Sequence, residues 1–198
     1  MLAARKGHAW RARRYGRFAV LCALQSTDRI IDIGSGAGGA LAAFNHENEI
    51  TAVDLQRWPS DPQHPNVRFV QGNGCALPFS DRAFDIAFSN SVIEHMCARD
   101  QERFAAELRR VADRYYVQTP NSFFWLEPHY QLPLFQFLPL AVQRFLVPRF
   151  QLGWQPKGEM ETIRLLSARQ LQKLFPDATI HRERLLGLTK SLMAVRNA

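Results

Sequence analysis

No acidic residue precedes Asp28, and cysteine is scarce: Cys22, Cys75 and Cys97 are the only three in 198 residues. Their number is odd and no two sit in a C-x-x-C pair. That argues against a disulfide framework and a structural zinc site, and suits a reducing, cytoplasmic setting. Long apolar runs are also missing. The longest uncharged stretch after His129, Tyr130–Gln143, holds two prolines and three glutamines. It is shorter than the roughly 18 apolar residues that a membrane span needs. There is no internal repeat, and so no solenoid or propeller. The fourth apolar run ends in Ser89-Asn90-Ser91-Val92, and no cysteine follows a proline or a threonine.

What is present is basic and otherwise ordinary. The net charge is +7, and 21 of the 25 basic residues are arginine. Such a surface meets nucleic acid, anionic lipid or an acidic ligand, or simply keeps the chain soluble. No interleaving of aromatic and basic residues and no known module supports nucleic acid as the partner. Six of the cations, from Arg5 to Arg17, precede the apolar run Phe18–Leu24. The run is short, no small-residue cleavage site follows, and a strand begins almost at once. A basic helix packed beside a sheet accounts for it better than a targeting peptide.

The chain from Arg29 to Phe44, RIIDIGSGAGGALAAF, reads as strand, glycine turn and helix. Further strand-like runs occur at Glu49–Asp54, Val67–Val70, Phe84–Ser89 and Tyr115–Thr119. Between the last two, Phe104, Ala105, Leu108 and Val111 recur at helical spacing. Strands alternating with helices predict a parallel sheet covered on both faces. Ser167 with Gln170 predicts a capping box at the start of a helix. Residues 178–196 read as two strands around Gly187.

The spacing Gly34-x-Gly36-x-x-Gly39, with Asp54 at the end of the second strand, fits a dinucleotide site. Asp32 points elsewhere. It lies inside an apolar strand two residues before the first glycine, where a carboxylate would repel a pyrophosphate. It suits a cationic ligand, and S-adenosylmethionine carries an ammonium and a sulfonium. At these residues the sequence resembles the class I S-adenosylmethionine-dependent methyltransferases. IIDIGSGAGG is similar to their first motif, VDL (Val53–Leu55) to their ribose motif, and Gly72–Met96 to the stretch through their fourth strand. The nearest resemblance is to small-molecule methyltransferases with an LPF…FD…EH signature.

The resemblance implies an α/β, single-domain, Rossmann-like fold, with a mostly parallel twisted sheet of about seven strands and helices on both faces. The expected parts of residues 1–198 are a basic helix (1–28), a cofactor-binding core (29–120), an aromatic and proline-rich cap (121–150), and a C-terminal helix with the last strands (151–198). The implied cofactor contacts are Asp32, Gly34, Ser35 and Gly36 for the methionine portion and Asp54 with Leu55 for the ribose end. Asn73, Gly74 and Cys75 would flank the adenine, with Ser89 and Asn90 flooring the cleft. Glu94, His95 and His129 are the candidate catalytic residues, with Glu127 and Tyr130 beside His129. Quinone-ring O-methyltransferases that bind a divalent metal carry another glutamate three residues before Glu-His. Ser91 stands there, so no metal is expected. The expected reaction is in-line attack by a small, partly apolar acceptor on the sulfonium methyl. Two readings stand beside it: an NAD(P)-type oxidoreductase, and a catalytically silent S-adenosylmethionine-binding protein that makes peripheral contact with a membrane.

Overall fold

The computed structural model describes residues 2–36, 47–59, 62–127, 132–147, 149 and 163–197, with the backbone alone for residues 2–11, 127 and 140. Helix α1 spans Leu2–Leu21. The main sheet contains β1 (Ile30–Ile33), β2 (Ile50–Asp54), β3 (Val67–Gln71), β4 (Phe84–Asn90), β5 (Ala112–Pro120), β8 (Thr179–Leu185) and β9 (Leu188–Arg196). Helix α2 is Ala98–Val111, and α4 is Ala168–Leu174. A two-stranded ribbon, β6 (Leu126–Glu127) with β7 (Leu132–Pro133), and helix α3 (Leu140–Leu146) fill the excursion between β5 and α4.

The sheet order is β3-β2-β1-β4-β5-β9-β8. The first five strands are parallel, and β9 enters antiparallel between β5 and β8. The order reverses between β1 and β4, the place where open α/β sheets bind ligands outside the strand carboxyl ends. The expected α/β architecture is therefore present. Strand ends differ by one to three residues from the sequence reading. β5 starts at Ala112, directly after α2, because Ala112 pairs with Phe84 as soon as the helix stops. The helix expected after Gly39 lies outside the described residues.

Each face has its own core, because side chains alternate along a strand. Ile31, Ile33, Ala87, Tyr115 and Val117 pack towards α2 and α4 with Phe104, Leu108, Leu171 and Phe175. Ile30, Ile50, Ile86, Phe88, Tyr116 and Met193 pack towards α1, under Phe18 and Cys22. Phe18 meets Phe88 and Tyr116 edge-on, at centroid distances of 4.9 and 5.7 Å. The Cys22 thiol is fully buried there. Burial pushes its pKa up to about 12, so it packs as a small apolar group.

Two arginines tie helices to loops. Arg110 donates to Glu107 and Asp81, and to the carbonyls of Phe79 and Leu77, fastening the loop before β4 to α2. This arginine holds the Glu107 carboxyl below its ordinary range. Arg114, on β5, forms an ion pair with Asp28 and donates to the carbonyl of Cys22 at 2.9 Å. It thereby closes the end of α1, where Ala23 turns left-handed at φ +46°. The Arg114 and Asp28 side chains are only 16% and 9% exposed. Breaking such a pair strands a buried charge. We expect Arg114→Leu to lose about 3–5 kcal/mol of folding stability in urea titrations.

Candidate functional site

The site begins with the turn after β1. Asp32 is buried and, by alternation, shares the α1 face with Ile30. Gly34 and Gly36 both adopt positive φ, +77° and +63°. The two glycines serve different ends. A Cβ on Gly34 would lie 2.3 Å from Val92 Cγ2, so the turns after β1 and β4 meet where no side chain fits. A Cβ on Gly36 would meet nothing within 4 Å among the described residues, at the carboxyl end of the sheet. Between them Ser35 is buried, and its hydroxyl has no hydrogen-bond partner among the described residues.

Asp54 closes β2 and clamps this turn. Its Oδ2 accepts from the Gly36 N–H at 3.0 Å, and its Oδ1 accepts from the Gln56 N–H at 2.9 Å. A carboxylate has about four lone-pair directions, so acceptor capacity remains for a diol. Leu55 beside it is 69% exposed. The third segment follows β3. The Asn73 side chain is turned inward on its own loop, accepting from the Cys75 N–H at 2.9 Å. The Cys75 N–H expected to face an adenine ring is thus engaged locally. Gly74 is required by packing: a Cβ there would lie 2.8 Å from Phe104 and 2.9 Å from Ile33. Burial raises the Cys75 thiol pKa, so it stays protonated and unreactive.

At the end of β4, the Ser89 hydroxyl donates to the Ile33 carbonyl at 3.0 Å. It joins the two strands at the switch point rather than lining open space. Asn90 accepts from Arg14 of α1 at 3.4 Å. Asn90 is in register with Gln118 on β5. Ser91 takes φ +57°, donates its N–H to the Gln118 carbonyl and bonds that side chain through its hydroxyl. Sequence reasoning missed Arg14 and Gln118. Each holds a buried N–H donor, Arg14 Nε and Gln118 Nε2, with no acceptor among the described residues. One turn of α1 separates Arg14 from Phe18, so Arg14 rises over Asn90 as Phe18 does over Phe88. The signal in the sequence was that four-residue spacing.

Glu94 lies on the opposite face. It is fully buried in a 3-10 turn, Ile93–His95, and accepts from the Thr119 hydroxyl at 2.9 Å. Its carbonyl accepts from the Arg164 N–H at 2.7 Å, and Gln101 donates to the carbonyls of Ile93 and Arg164. This is a brace that holds the returning chain against β5. His95 beside it is half-buried. His129, Tyr130 and the Glu127 side chain lie outside the described residues, as do Gly38 and Gly39. No group of three or more His, Cys, Asp or Glu among the described residues is arranged to hold a metal ion.

Asp32, the glycine turn, Asp54 and Asn90 thus converge at the carboxyl ends of three adjacent strands. Residues 31–114, which contain this constellation, match the protein family described as "Methyltransferase domain". Residues 31–114 are thus identified as a methyltransferase domain. Among curated relatives, an uncharacterized methyltransferase of Schizosaccharomyces pombe is 29% identical over 52% of this chain and 43% of its own length. The uncharacterized methyltransferase YcgJ of Bacillus subtilis is 33% identical over 42% of this chain and 36% of its own. The chain matches less than half the length of either relative. Among solved structures, the 1,6-didemethyltoxoflavin-N1-methyltransferase of Burkholderia thailandensis shares the fold. Its TM-score is 0.62 at 19% identity, over 95% of this chain and 79% of that one. The cofactor of the methyltransferase domain is S-adenosylmethionine, and the dinucleotide reading falls away.

The two glycines separate folding from binding. Gly34→Ala should lose at least about 2 kcal/mol of stability, since the methyl group meets both strain and Val92. Val92→Ala should restore part of that loss. Gly36→Val carries the strain of φ +63° without the Val92 clash, so it should lose less stability than a valine at position 34 and should lose cofactor affinity in calorimetry.

Proposed function

We propose that the chain transfers a methyl group from S-adenosylmethionine to a small, partly apolar acceptor. The observation that carries the reading is Asp32. A buried carboxylate sits at the switch point on the α1 face, next to a strand end that Arg14 covers. Opposite charges so arranged complement an amino acid zwitterion and oppose a pyrophosphate. When bound, S-adenosylmethionine supplies the activated methyl group.

This chain's residues then have separable tasks. Asp32 takes the ammonium of the methionine portion and Arg14 its carboxylate. Asp54 takes the ribose hydroxyls, and Leu55 covers the base. Asn73 borders the base through the turn that it holds. Val92 and Gly34 keep the two strand ends together, so the methyl donor is fixed against the acceptor side. Glu94 is a positioning residue, braced by Thr119. His95 and His129 are the candidate proton acceptors for an acceptor that must lose a proton.

The segment 121–150 serves as the cap over the acceptor. It leaves β5 at the carboxyl end, and its described part has a small core of its own: Phe135 and Val147, with Leu132, Leu138, Leu146 and Ile163 around them. A unit with its own core can be removed without opening the sheet. A small acceptor also agrees with the Burkholderia enzyme, which was solved with 1,6-didemethyltoxoflavin bound.

Asp54→Ala should weaken cofactor binding by about 1.5–3 kcal/mol in calorimetry, the range for a hydrogen bond to a charged group. Unchanged affinity would give Asp54 a purely structural task. Deleting Leu132–Val147 with a short linker should retain cofactor binding and abolish production of S-adenosylhomocysteine from a metabolite extract. Unfolding of that variant would instead make the segment part of the core. An intact chain that binds the cofactor and yields no S-adenosylhomocysteine would be the silent binding protein.

A further inference from the structure

Six of the ten exposed large apolar side chains among the described residues lie between positions 123 and 145: Phe123, Trp125, Leu134, Phe137, Val142 and Phe145. Surface helices ordinarily turn their polar side outward. Helix α3 is apolar on its outer side as well as its inner one. Leu146 and the following Val147 turn towards the small core, and Gln143 is spent on the Leu138 carbonyl. Outward it shows Val142 and Phe145, with Arg144 exposed beside them. The Arg149 guanidinium stacks over the Phe145 ring at 3.7 Å.

Charge supplies the second observation. Between Glu127 and Glu159 there is no acidic residue, while Arg144, Arg149 and Lys157 are present. The same bias marks α1, whose sequence holds cations and no acid. The helix runs antiparallel to β4 and β5, since Cys22 meets Arg114 near the start of β5 and Arg14 meets Asn90 at the end of β4. Residues 2–13 therefore continue about 18 Å beyond the strand ends. That part of the chain bears Arg5, Lys6, Arg11 and Arg13. The apolar excursion and the basic helix thus both leave the sheet at its carboxyl end, where the cofactor cleft lies.

We infer that this end of the molecule docks on an anionic lipid surface. The outward side chains of residues 123–145 enter the headgroup boundary, and the arginines pair with lipid phosphates. Aromatic and aliphatic side chains flanked by arginine, with no acid between Glu127 and Glu159, are the composition that such a boundary selects. No helix among the described residues is long and apolar enough to cross a membrane, so the contact is peripheral. Given the methyltransferase reading, the acceptor is a lipid-soluble molecule that reaches the cleft from the bilayer.

The test is flotation of the full chain with vesicles of phosphatidylcholine alone or mixed with phosphatidylglycerol. Co-flotation should require phosphatidylglycerol and weaken as salt rises. The double variant Phe137→Ser/Phe145→Ser should reduce partitioning about tenfold or more. Arg144→Glu and Arg149→Glu should each reduce it about fivefold. All four side chains are exposed, so unfolding midpoints should not move, and a serine variant that does unfold leaves the two arginine variants to decide. Wild-type chain that stays with the soluble fraction would overturn the inference. So would serine and arginine variants that float as well as wild type. A wild-type dimer that the serine variant dissociates would give the surface to a second copy of the chain instead. Cofactor affinity, measured without vesicles, tests the methyltransferase reading separately. Its failure alone would leave the docking standing.

Discussion

The turn after β1 and the turn after β4 approach more closely than any side chain at position 34 allows. Most of the site follows from that contact. The approach demands a left-handed glycine, and the same curl aims the Gly36 N–H at Asp54, which links the end of β2 to the end of β1. On the other side Ser91 also goes left-handed, and its backbone and hydroxyl reach Gln118 on β5. Four strand ends are thereby set against one another by a few hydrogen bonds and one backbone contact.

The two faces of the sheet divide the acidic residues at this end. Asp32 lies on the α1 face, where Arg14 and Gln118 offer buried donors. Glu94 lies on the α2 face, with one carboxylate oxygen accepting from Thr119 and its backbone built into the path of the chain that returns towards α4. A buried carboxylate must be paired or bonded to be tolerated, and the bonds it receives fix its task. Thr119 and the backbone of Arg164 make Glu94 part of the frame.

Local rules made much of this legible in the sequence. The helix at 98–111 shows in its periodicity, the Ser167–Gln170 capping box in its spacing, and the hairpin around Gly187 in its glycine. Asp32, Gly34, Gly36 and Asp54 were legible because a strand followed by a glycine turn constrains few positions tightly. The arrangement around them was not. Arg14 with Asn90, Asp28 with Arg114 and Glu94 with Thr119 are pairs far apart in the chain, and no local pattern announces them. Asn73 and Gly74 show the complementary difficulty. Both stand where a cofactor contact is expected, yet the Asn73 carbonyl oxygen holds its own turn and Gly74 makes room for Phe104.

Strand β9 lies between β5 and β8 although Leu188–Arg196 comes last among the nine strands of the described residues. Tyr115 pairs with Arg196, and Pro120 with Ser191. During synthesis the five parallel strands emerge long before the one that covers their open edge. Until Arg196 leaves the ribosome, β5 presents an unpaired and largely apolar strand to its surroundings. The order of manufacture thus makes an interior seam of the finished sheet, between its fifth and sixth strands, the last part to close. A growing chain must keep that edge from other chains throughout the time that the excursion and α4 take to be made.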